Sequence, residues 1–306
     1  MKLIVQPDAG VAPIVTAIKQ ARKTLDIMVF RLDRHEITRA LEDAVARGVI
    51  VRALIAHKNS GGEKTLRKLE LRLLAAGVNV SRTSDDLVRY HGKMMIVDGR
   101  ILYVFGFNFI ALDIAKTRSF GIVTKNRRLV QEAVKLFEAD SARQPYRSGY
   151  DRFVVSPENA RERLAAFIKG ARRELLIYDP KLTDDAMLAL LRTKRKEGVD
   201  IRVIGKVESK WDLEAEKCPV KRMHIRAIIR DGRHAFIGSQ SLRKVELEKR
   251  REIGVISHDK QVVAQMRETF EQDWAQTDTG RKQAKKAERA DKKEGKEPGH
   301  AIAASA

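Results

Sequence analysis

The residues of this chain that are best suited to chemistry occur in two copies of one short pattern. Each copy has a histidine, a basic residue two positions later and an aspartate five positions after that: His91, Lys93 and Asp98 in the first copy, and His224, Arg226 and Asp231 in the second. Because alternate side chains of a β-strand lie on the same face, each histidine should lie beside its cation. An imidazole next to a positive charge could serve as a nucleophile or a proton carrier at a bound phosphate.

The repetition extends beyond these two motifs. In the earlier part of each half, eight residue types recur at an offset of 150 positions. Further along, the offset is 133, which is the separation of the two histidines, and the matched pairs include Arg118 with Arg251 and Asp140 with Asp273. Two registers sustained over so much chain indicate an internal duplication.

The elements that must position the motifs follow a mixed α/β pattern, in which short apolar runs alternate with helical periodicity. Each motif lies in a predicted strand, 90–97 or 222–230, and a turn dipeptide then predicts an antiparallel return strand at 101–105 or 234–238. We expect domains over 1–143 and 144–276, with a linker near 141–151. The basic tail, 277–306, is expected to be disordered, although 281–294 could form a transient helix.

Composition limits the class of protein. The 306 residues carry a formal net charge of +20, which favours a polyanionic partner such as nucleic acid or an anionic membrane surface, although solubility alone would also explain it. The single cysteine, Cys218, excludes an intramolecular disulfide and fits a reducing compartment. No apolar segment approaches the roughly 20 residues that span a membrane. We therefore expect a cytoplasmic protein that could contact the inner membrane face peripherally.

With the glycine-containing turns that follow the motifs, Phe105-Gly106-Phe107-Asn108 and Gly238-Ser239-Gln240-Ser241, the pattern resembles H-x-K-x4-D-x6-G-S-x-N of the phospholipase D superfamily. The resemblance covers roughly residues 1–275 and includes the duplication. It implies a monomer of two homologous α/β/α domains with mixed sheets, which meet as a pseudo-twofold internal dimer. One active site would take a histidine from each half and would need no metal or other cofactor. One histidine would form a phosphohistidine, and the other would protonate the leaving oxygen and then activate water or an alcohol.

The resemblance also assigns roles to residues. All six motif residues would belong to the catalytic set, with Asp98 and Asp231 orienting and structural. The substrate phosphate would be held by the two motif cations together with Asn108 and Ser239, and Ser241 stands where the family has its second asparagine. Arg226 departs from the expected lysine: it keeps the charge but changes the geometry, so reduced or altered activity would be understandable.

The family also places a glutamate beyond the motif, where it holds the other nitrogen of the histidine. Glu252 fits that position in the second half, whereas the first half has Ser119. If each orienting residue serves the histidine of its own half, His224 beside Glu252 should hold a proton as the general acid. His91, beside Ser119 alone, should more often be neutral and free to attack.

Three functions remain open from the sequence. The first is a phospholipase D-like hydrolase or phosphatidyltransferase that acts on a phospholipid headgroup, as cardiolipin synthases do, with membrane docking left to charge. The second is a nuclease that cleaves DNA or RNA by the same mechanism, with basic runs at 116–118, 127–128, 243–244 and 249–251 along the nucleic acid. The third is a phosphate-binding relative without activity, for which Phe105, Ser119 and Arg226 would be marks of decay.

Overall fold

The computed structural model describes residues 1–58, 62–207, 211, 213–219 and 222–294. The elements of the first half are β1 (Lys2–Gln6), α1 (Ala12–Gln20), β2 (Thr24–Val29), α2 (His35–Ala46), β3 (Ile50–Ile55), α3 (Gly62–Ala75), β4 (Asn79–Arg82), β5 (Arg89–Tyr90), β6 (Met94–Val97), β7 (Ile101–Phe105), α4 (Ala111–Lys116), β8 (Ser119–Thr124) and α5 (Arg127–Ser141). Those of the second half are β9 (Phe153–Val155), α6 (Ala160–Lys169), β10 (Glu174–Leu182), α7 (Asp185–Lys196), β11 (Asp200–Val207), β12 (Ala215–Glu216), β13 (Arg226–Arg230), β14 (His234–Gly238), α8 (Lys244–Glu248), β15 (Arg250–Arg251), β16 (Ile253–Ser257), α9 (Lys260–Ala275) and α10 (Asp278–Glu294).

Each half contains one seven-stranded mixed sheet, and the two sheets have the same topology. The first sheet has the order β1-β8-β7-β6-β2-β3-β4, and the second, read in the equivalent direction, is β9-β16-β14-β13-β10-β11-β12. The pairs β2–β3 and β3–β4 are parallel, whereas β6 pairs antiparallel with both β2 and β7. This repeated order confirms the fold class and the duplication expected from the sequence.

The two halves share a hydrophobic core. On the outer face of each sheet, a pair of helices covers its own half: α1 and α2 in the first, α6 and α7 in the second. On the inner face, α5 and α9 each contact strands of both sheets, and their side chains enter one continuous apolar cluster that includes Phe137, Tyr178 and Phe270. Because apolar burial is the main stabilising term in folding, this shared cluster joins the halves into one body.

Two reciprocal ion pairs cross the pseudo-twofold axis. The Arg118 guanidinium donates to both carboxylate oxygens of Asp273, at 3.0 and 3.1 Å, and Arg251 donates to both oxygens of Asp140, at 3.1 and 3.0 Å. These are the pairs that the offset of 133 aligns with one another. A buried charge that loses its partner destabilises a fold by about 3–5 kcal/mol, so these forked contacts favour one relative position of the halves.

Two expectations about elements need correction. The motif strands are shorter than predicted. Both histidines lie outside them, in the residues before β6 and β13. Most of the described part of the predicted disordered tail is the helix α10, which begins at Asp278 and is separated from the end of α9 by two residues. Trp274 Nε1 donates to Gln283 Oε1 at 3.2 Å and the Thr279 hydroxyl binds Glu216, so the helix has partners in the folded body. Residues 295–306 lie outside the described part of the chain.

Candidate active site

The structure brings the two motif histidines together at the interface between the halves. Their ring centroids lie 6.1 Å apart, and the ring planes are nearly perpendicular. The main chain of each histidine is held by the opposite half: the His91 N–H donates to the Arg251 carbonyl at 2.8 Å, and the His224 N–H donates to the Arg118 carbonyl at 3.2 Å. One composite site therefore takes a histidine from each repeat.

His91 is bound to a carboxylate of the second half. Its Nδ1 lies 2.9 Å and 3.1 Å from the two oxygens of Glu252, and the Phe30 ring packs edge-on against the imidazole at 4.6 Å. Lys93 Nζ lies 3.2 Å from Nε2 of the same ring. Because the carboxylate engages Nδ1, Nε2 is the ring nitrogen that can act on a substrate.

His224 has an orienting carboxylate that the sequence analysis did not single out. Oδ2 of Asp113, in α4, lies 3.4 Å from Nδ1 of His224, close enough for an ion pair with a protonated ring, although Nδ1 forms no hydrogen bond with the described residues. Asp113 is itself held by hydrogen bonds from the Asn108 main-chain and side-chain nitrogens, at 2.9 and 2.7 Å, and by Arg222. One sequence signal was available: at the offset of 133, Asp113 aligns with another acid, Glu246.

The expected pairing of histidines with orienting residues within each half is therefore wrong. Glu252 contacts His91 rather than His224, and the Ser119 hydroxyl donates to the main-chain carbonyl of His224 at 3.0 Å rather than serving His91. The cause is strand pairing between the halves. Strand β5, just before His91, pairs in parallel with β15, just before Glu252. A parallel bridge between Arg118 and Met223 likewise brings together Ser119 and His224, the residues that follow them.

The two motif cations have different surroundings. Lys93 is fully buried, and this burial lowers the pKa of its ammonium group to about 7. Arg226 is buried as well; its Nε donates to the Ser241 hydroxyl at 3.2 Å and lies 3.8 Å from Glu246. Its Nη1 is buried and has no hydrogen-bond partner within the described part of the chain, so that donor can bind a substrate oxygen.

Burial and the neighbouring cations control the protonation of the histidines. The pKa of His91 is well below its ordinary value, first because the ring is buried and then because Lys93 and Arg226 repel a further positive charge. The same causes lower the pKa of His224. Burial also raises the pKa of Glu252. Both imidazoles are therefore neutral near pH 7 in the free protein, which is the form that a nucleophile requires.

The predicted phosphate-binding residues lie at the site, mostly as support for other side chains. Asn108 holds Asp113 through its amide nitrogen, and its Oδ1 is buried without a partner in the described residues. Ser241 accepts from Arg226, and its own N–H donates to Glu246 at 2.7 Å. The Ser239 hydroxyl accepts the N–H of Ile253 at 3.1 Å, next to Glu252.

Asp98 and Asp231 do not belong to the site, and their inclusion in the catalytic set is corrected. Both have a positive φ, 51° and 54°, in the turn at the far end of the motif strand, roughly 20 Å of extended chain beyond the histidine. The Asp98 carboxylate accepts the main-chain N–H groups of residues 22, 23 and 24, and Asp231 does the same for 172, 173 and 174. They anchor this turn to the start of β2 or β10.

Among the described residues, no group of histidine, cysteine, aspartate and glutamate side chains has an arrangement that could hold a metal ion. None of the helices in that part of the chain is long and apolar enough to cross a membrane.

Two mixed α/β repeats that place paired histidines and basic residues at their interface define a phospholipase D-like fold. In agreement, residues 14–141 and 164–274 match the profile of a family described as cardiolipin synthase, phospholipase D-like domain. The chain belongs to the phospholipase D superfamily.

Individual similarities extend over most of the chain. Cardiolipin synthase 1 of Bacillus anthracis is 24% identical over 339 aligned residues, which cover 89% of this chain and 66% of that protein, just under two thirds. A polyphosphate kinase from Porphyromonas gingivalis has a similar structure, with a TM-score of 0.74 at 18% identity over 88% of this chain and 46% of the kinase. Phosphatidylserine synthase of Haemophilus influenzae gives a TM-score of 0.65 at 10% identity, over 88% and 85% of the two chains. At these identities, the two structural similarities establish the fold.

Proposed function

We propose that this protein is a phospholipase D-type phosphodiesterase or phosphatidyltransferase that acts on a phospholipid through a phosphohistidine. The observation that carries the proposal is the pair of imidazoles, 6.1 Å apart, each with a carboxylate near Nδ1, at 2.9 Å for His91 and 3.4 Å for His224, between two buried basic side chains. One phosphodiester can lie between two such rings, with its non-bridging oxygens toward Lys93 and Arg226.

In the proposed reaction, Nε2 of His91 attacks phosphorus. The bond from phosphorus to the leaving oxygen breaks as that oxygen takes a proton from His224. Water or an alcohol then gives a proton to His224 while its oxygen displaces His91, and the phosphorus–nitrogen bond breaks. The negative charge of the bound phosphodiester raises the pKa of His224, which lets this histidine carry the proton that it must donate.

The roles stay as the sequence analysis assigned them, but for a different reason. His91 is the nucleophile because the close, buried contact with Glu252 fixes the tautomer that presents an Nε2 lone pair, as a carboxylate does for the base in catalytic triads. His224 is the acid and base because its carboxylate is more distant, at 3.4 Å, and its ring is more exposed. A proton can therefore move between this ring and a leaving or entering group.

A lipid is supported by the surface around the site. Val88 and Leu112 are exposed, at 58% and 45% of their surface, and both stand on segments that carry site residues. Lys116 lies exposed at the end of the helix that carries Leu112, and the exposed Lys249 accepts the Val88 N–H at its carbonyl, at 3.0 Å. Apolar side chains among lysines suit an anionic membrane surface, because the lysines are drawn to the headgroups while the apolar groups enter the interface.

A nuclease receives less support than the basic runs suggested. Arg118 and Arg251 are committed to the ion pairs with Asp273 and Asp140, and Arg250 is paired with Glu246. The run at 127–128 follows the far end of β8, away from Ser119, which begins that strand beside His224. Of the four basic runs, the exposed lysines Lys116, Lys244 and Lys249 are left for contact with a nucleic-acid backbone near the site, fewer cations than the sequence suggested.

The test is a competition in one tube containing EDTA, with labelled phosphatidylglycerol vesicles and a labelled single-stranded oligonucleotide. The expected result is lipid turnover that disappears in His91→Ala and His224→Ala and persists in His35→Ala, a matched control because the His35 side chain is 78% exposed and its Nδ1 faces Glu36. Cleavage of the oligonucleotide alone would replace the lipid proposal with the nuclease. Turnover of neither substrate would favour a phosphate-binding protein without activity.

A further inference from the structure

A second candidate site lies in the first half, at the opposite end of the motif strand from the histidines. A cavity of about 850 Å³ opens between the end of α1, the end of α2 and the turn after β6. Its lining includes Val97 and Asp98, whereas His91 precedes the other end of that strand. The cavity is therefore separate from the proposed catalytic site.

The rim of the cavity is positively charged. Lys19, Arg22, Arg47 and Lys125 line it and are exposed. Asp98 is the one acidic lining residue, and its carboxylate is occupied by main-chain N–H groups. Across the described residues, none of the four cations forms an ion pair with an acidic side chain; Arg47 donates from Nη2 to the main-chain carbonyls of Ile18 and Lys19, both at 3.3 Å, which holds its guanidinium at the end of α1. A concave surface lined by unpaired charges of one sign attracts an ion of the opposite sign.

The floor of the cavity is apolar. It is formed by buried side chains of α1 and of the sheet, including Ala17, Val49, Val97 and Tyr103. A volume of about 850 Å³ falls in the range of small-molecule sites and is larger than a single phosphate group requires. This floor suits a ligand that has a flat apolar body as well as negative charge.

The second half fills the equivalent place with its own side chains. Arg230 stands where the first half has Val97, and its guanidinium donates to the Phe167 carbonyl at 2.9 Å and lies 4.7 Å from the Phe167 ring. Glu197 replaces Arg47, so one rim cation becomes an anion. The same fold thus has a closed version of this place in one half and an open, cationic version in the other.

We propose that the cavity of the first half binds a nucleoside diphosphate. The phosphates contact Arg22, Arg47 and Lys125, because guanidinium groups fit phosphate oxygens in a forked geometry. The base lies on the apolar floor beside Val97 and Tyr103. This inference is independent of the reaction proposed for the histidines.

The test is isothermal titration calorimetry of the full chain with ADP, GDP, CDP and UDP, and with pyrophosphate and adenosine as fragments. We expect at least one nucleotide to bind in the micromolar range, about tenfold or more tighter than either fragment. Arg47→Glu and Val97→Arg copy the residues of the second half, so each should weaken that nucleotide by about tenfold or more. Arg47 is exposed, so its variant carries the test even if Val97→Arg fails to fold.

Arg172→Glu is the matched control, because Arg172 occupies the position of Arg22 in the second half and should leave nucleotide binding unchanged. Three results would overturn the proposal. The first is that no nucleotide binds at about 1 mM. The second is that pyrophosphate binds as tightly as the nucleotides, which would mean a bare anion site. The third is that Arg172→Glu weakens binding as much as Arg47→Glu, which would mean attraction to the net charge of the protein.

Discussion

The two halves of the candidate active site are built alike but are not chemically equivalent. On one side, His91 is buried against Glu252 at 2.9 Å and lies beside Lys93. On the other side, His224 is less buried, its carboxylate, Asp113, lies at 3.4 Å, and the motif cation is an arginine. The two copies of the half-site therefore differ at a few positions, and these differences suit the separate reaction steps that we propose for the two histidines.

The exchange of residues between the halves explains why neither half holds a complete site. Each histidine depends on the other half for a main-chain acceptor and for a carboxylate, and the forked ion pairs from Arg118 and Arg251 keep these groups in register. Because a displacement of about 1 Å can cost two orders of magnitude in rate, a rigid interface is part of the site.

The largest expected losses of activity come from substituting the two histidines. The kinetics of these variants should distinguish the nucleophile from the acid and base. His91→Ala and His224→Ala should each lower hydrolysis of an alkyl phosphodiester by about 10⁴-fold. With a nitrophenyl phosphodiester, whose leaving group needs no proton, His224→Ala should release about one equivalent of nitrophenol in a burst and then stall, because no base activates water. His91→Ala should give no burst.

Stopped-flow absorbance measures the burst, and His35→Ala should behave as the unaltered protein does. A burst from His91→Ala and none from His224→Ala would reverse the assignment. If neither variant gives a burst while the unaltered protein turns over the substrate, the phosphohistidine step is wrong.

The next effects come from the orienting carboxylates. Glu252→Gln should lower kcat/KM by about 10³-fold, because the buried, close contact fixes the tautomer of His91. Asp113→Asn should lower it by only about tenfold, because the contact with His224 is longer. The ratio of the two losses, measured on one substrate, tests the asymmetry directly.

If the two carboxylates only stabilised the fold, their substitution would not slow different steps of the reaction. With the nitrophenyl substrate, Glu252→Gln should slow the burst, whereas Asp113→Asn should slow only the phase after it. The double variant Ser119→Glu with Asp113→Asn moves the carboxylate from position 113 to the position where the family has its glutamate. This variant should recover part of the rate of the later phase. Equal slowing of both phases by both substitutions would contradict the division of roles.

The sequence predicted the parts of this architecture that depend on local pattern. The alternating elements, the duplication and the meeting of His91 with His224 follow from periodicity, repeat offsets and the family resemblance. The crossing of Glu252 to His91 does not, because it depends on β5 and β15, which are two residues long and have no periodicity to detect. Asp113 was missed because it stands on a six-residue helix, six positions before the residue where the family has its glutamate.

Asp98 and Asp231 show the opposite limit of sequence reasoning. Their fixed spacing from the histidines places them in the motif, but seven residues of extended chain carry them to the other end of the strand. Their positive φ and their bonds to successive main-chain N–H groups are turn chemistry, which a motif cannot distinguish from catalysis.

The smallest expected effect is a pH dependence that separates the two motif cations. Burial lowers the pKa of Lys93 to about 7, so its ammonium group is charged below that pH and loses its proton above it. KM for a phosphodiester should therefore rise by about fivefold from pH 7 to pH 8, as the charged fraction of Lys93 falls from about one half to about one tenth. The histidines do not titrate in this window, because their pKa values lie well below the ordinary value. Lys93→Arg should remove the rise, since a guanidinium group stays charged throughout.

Arg226→Lys is the matched change in the other half, and it should leave the rise in KM in place. Glu246, whose Oε2 lies 3.8 Å from Arg226 Nε, would favour the charged form of a lysine at this position. KM values measured from pH 6 to pH 9 for the unaltered protein and both variants provide the comparison. A KM that does not change with pH in the unaltered protein, or a rise that persists in Lys93→Arg, would show that Lys93 does not control phosphate binding. The contrast between lysine and arginine would then be an incidental difference between the halves.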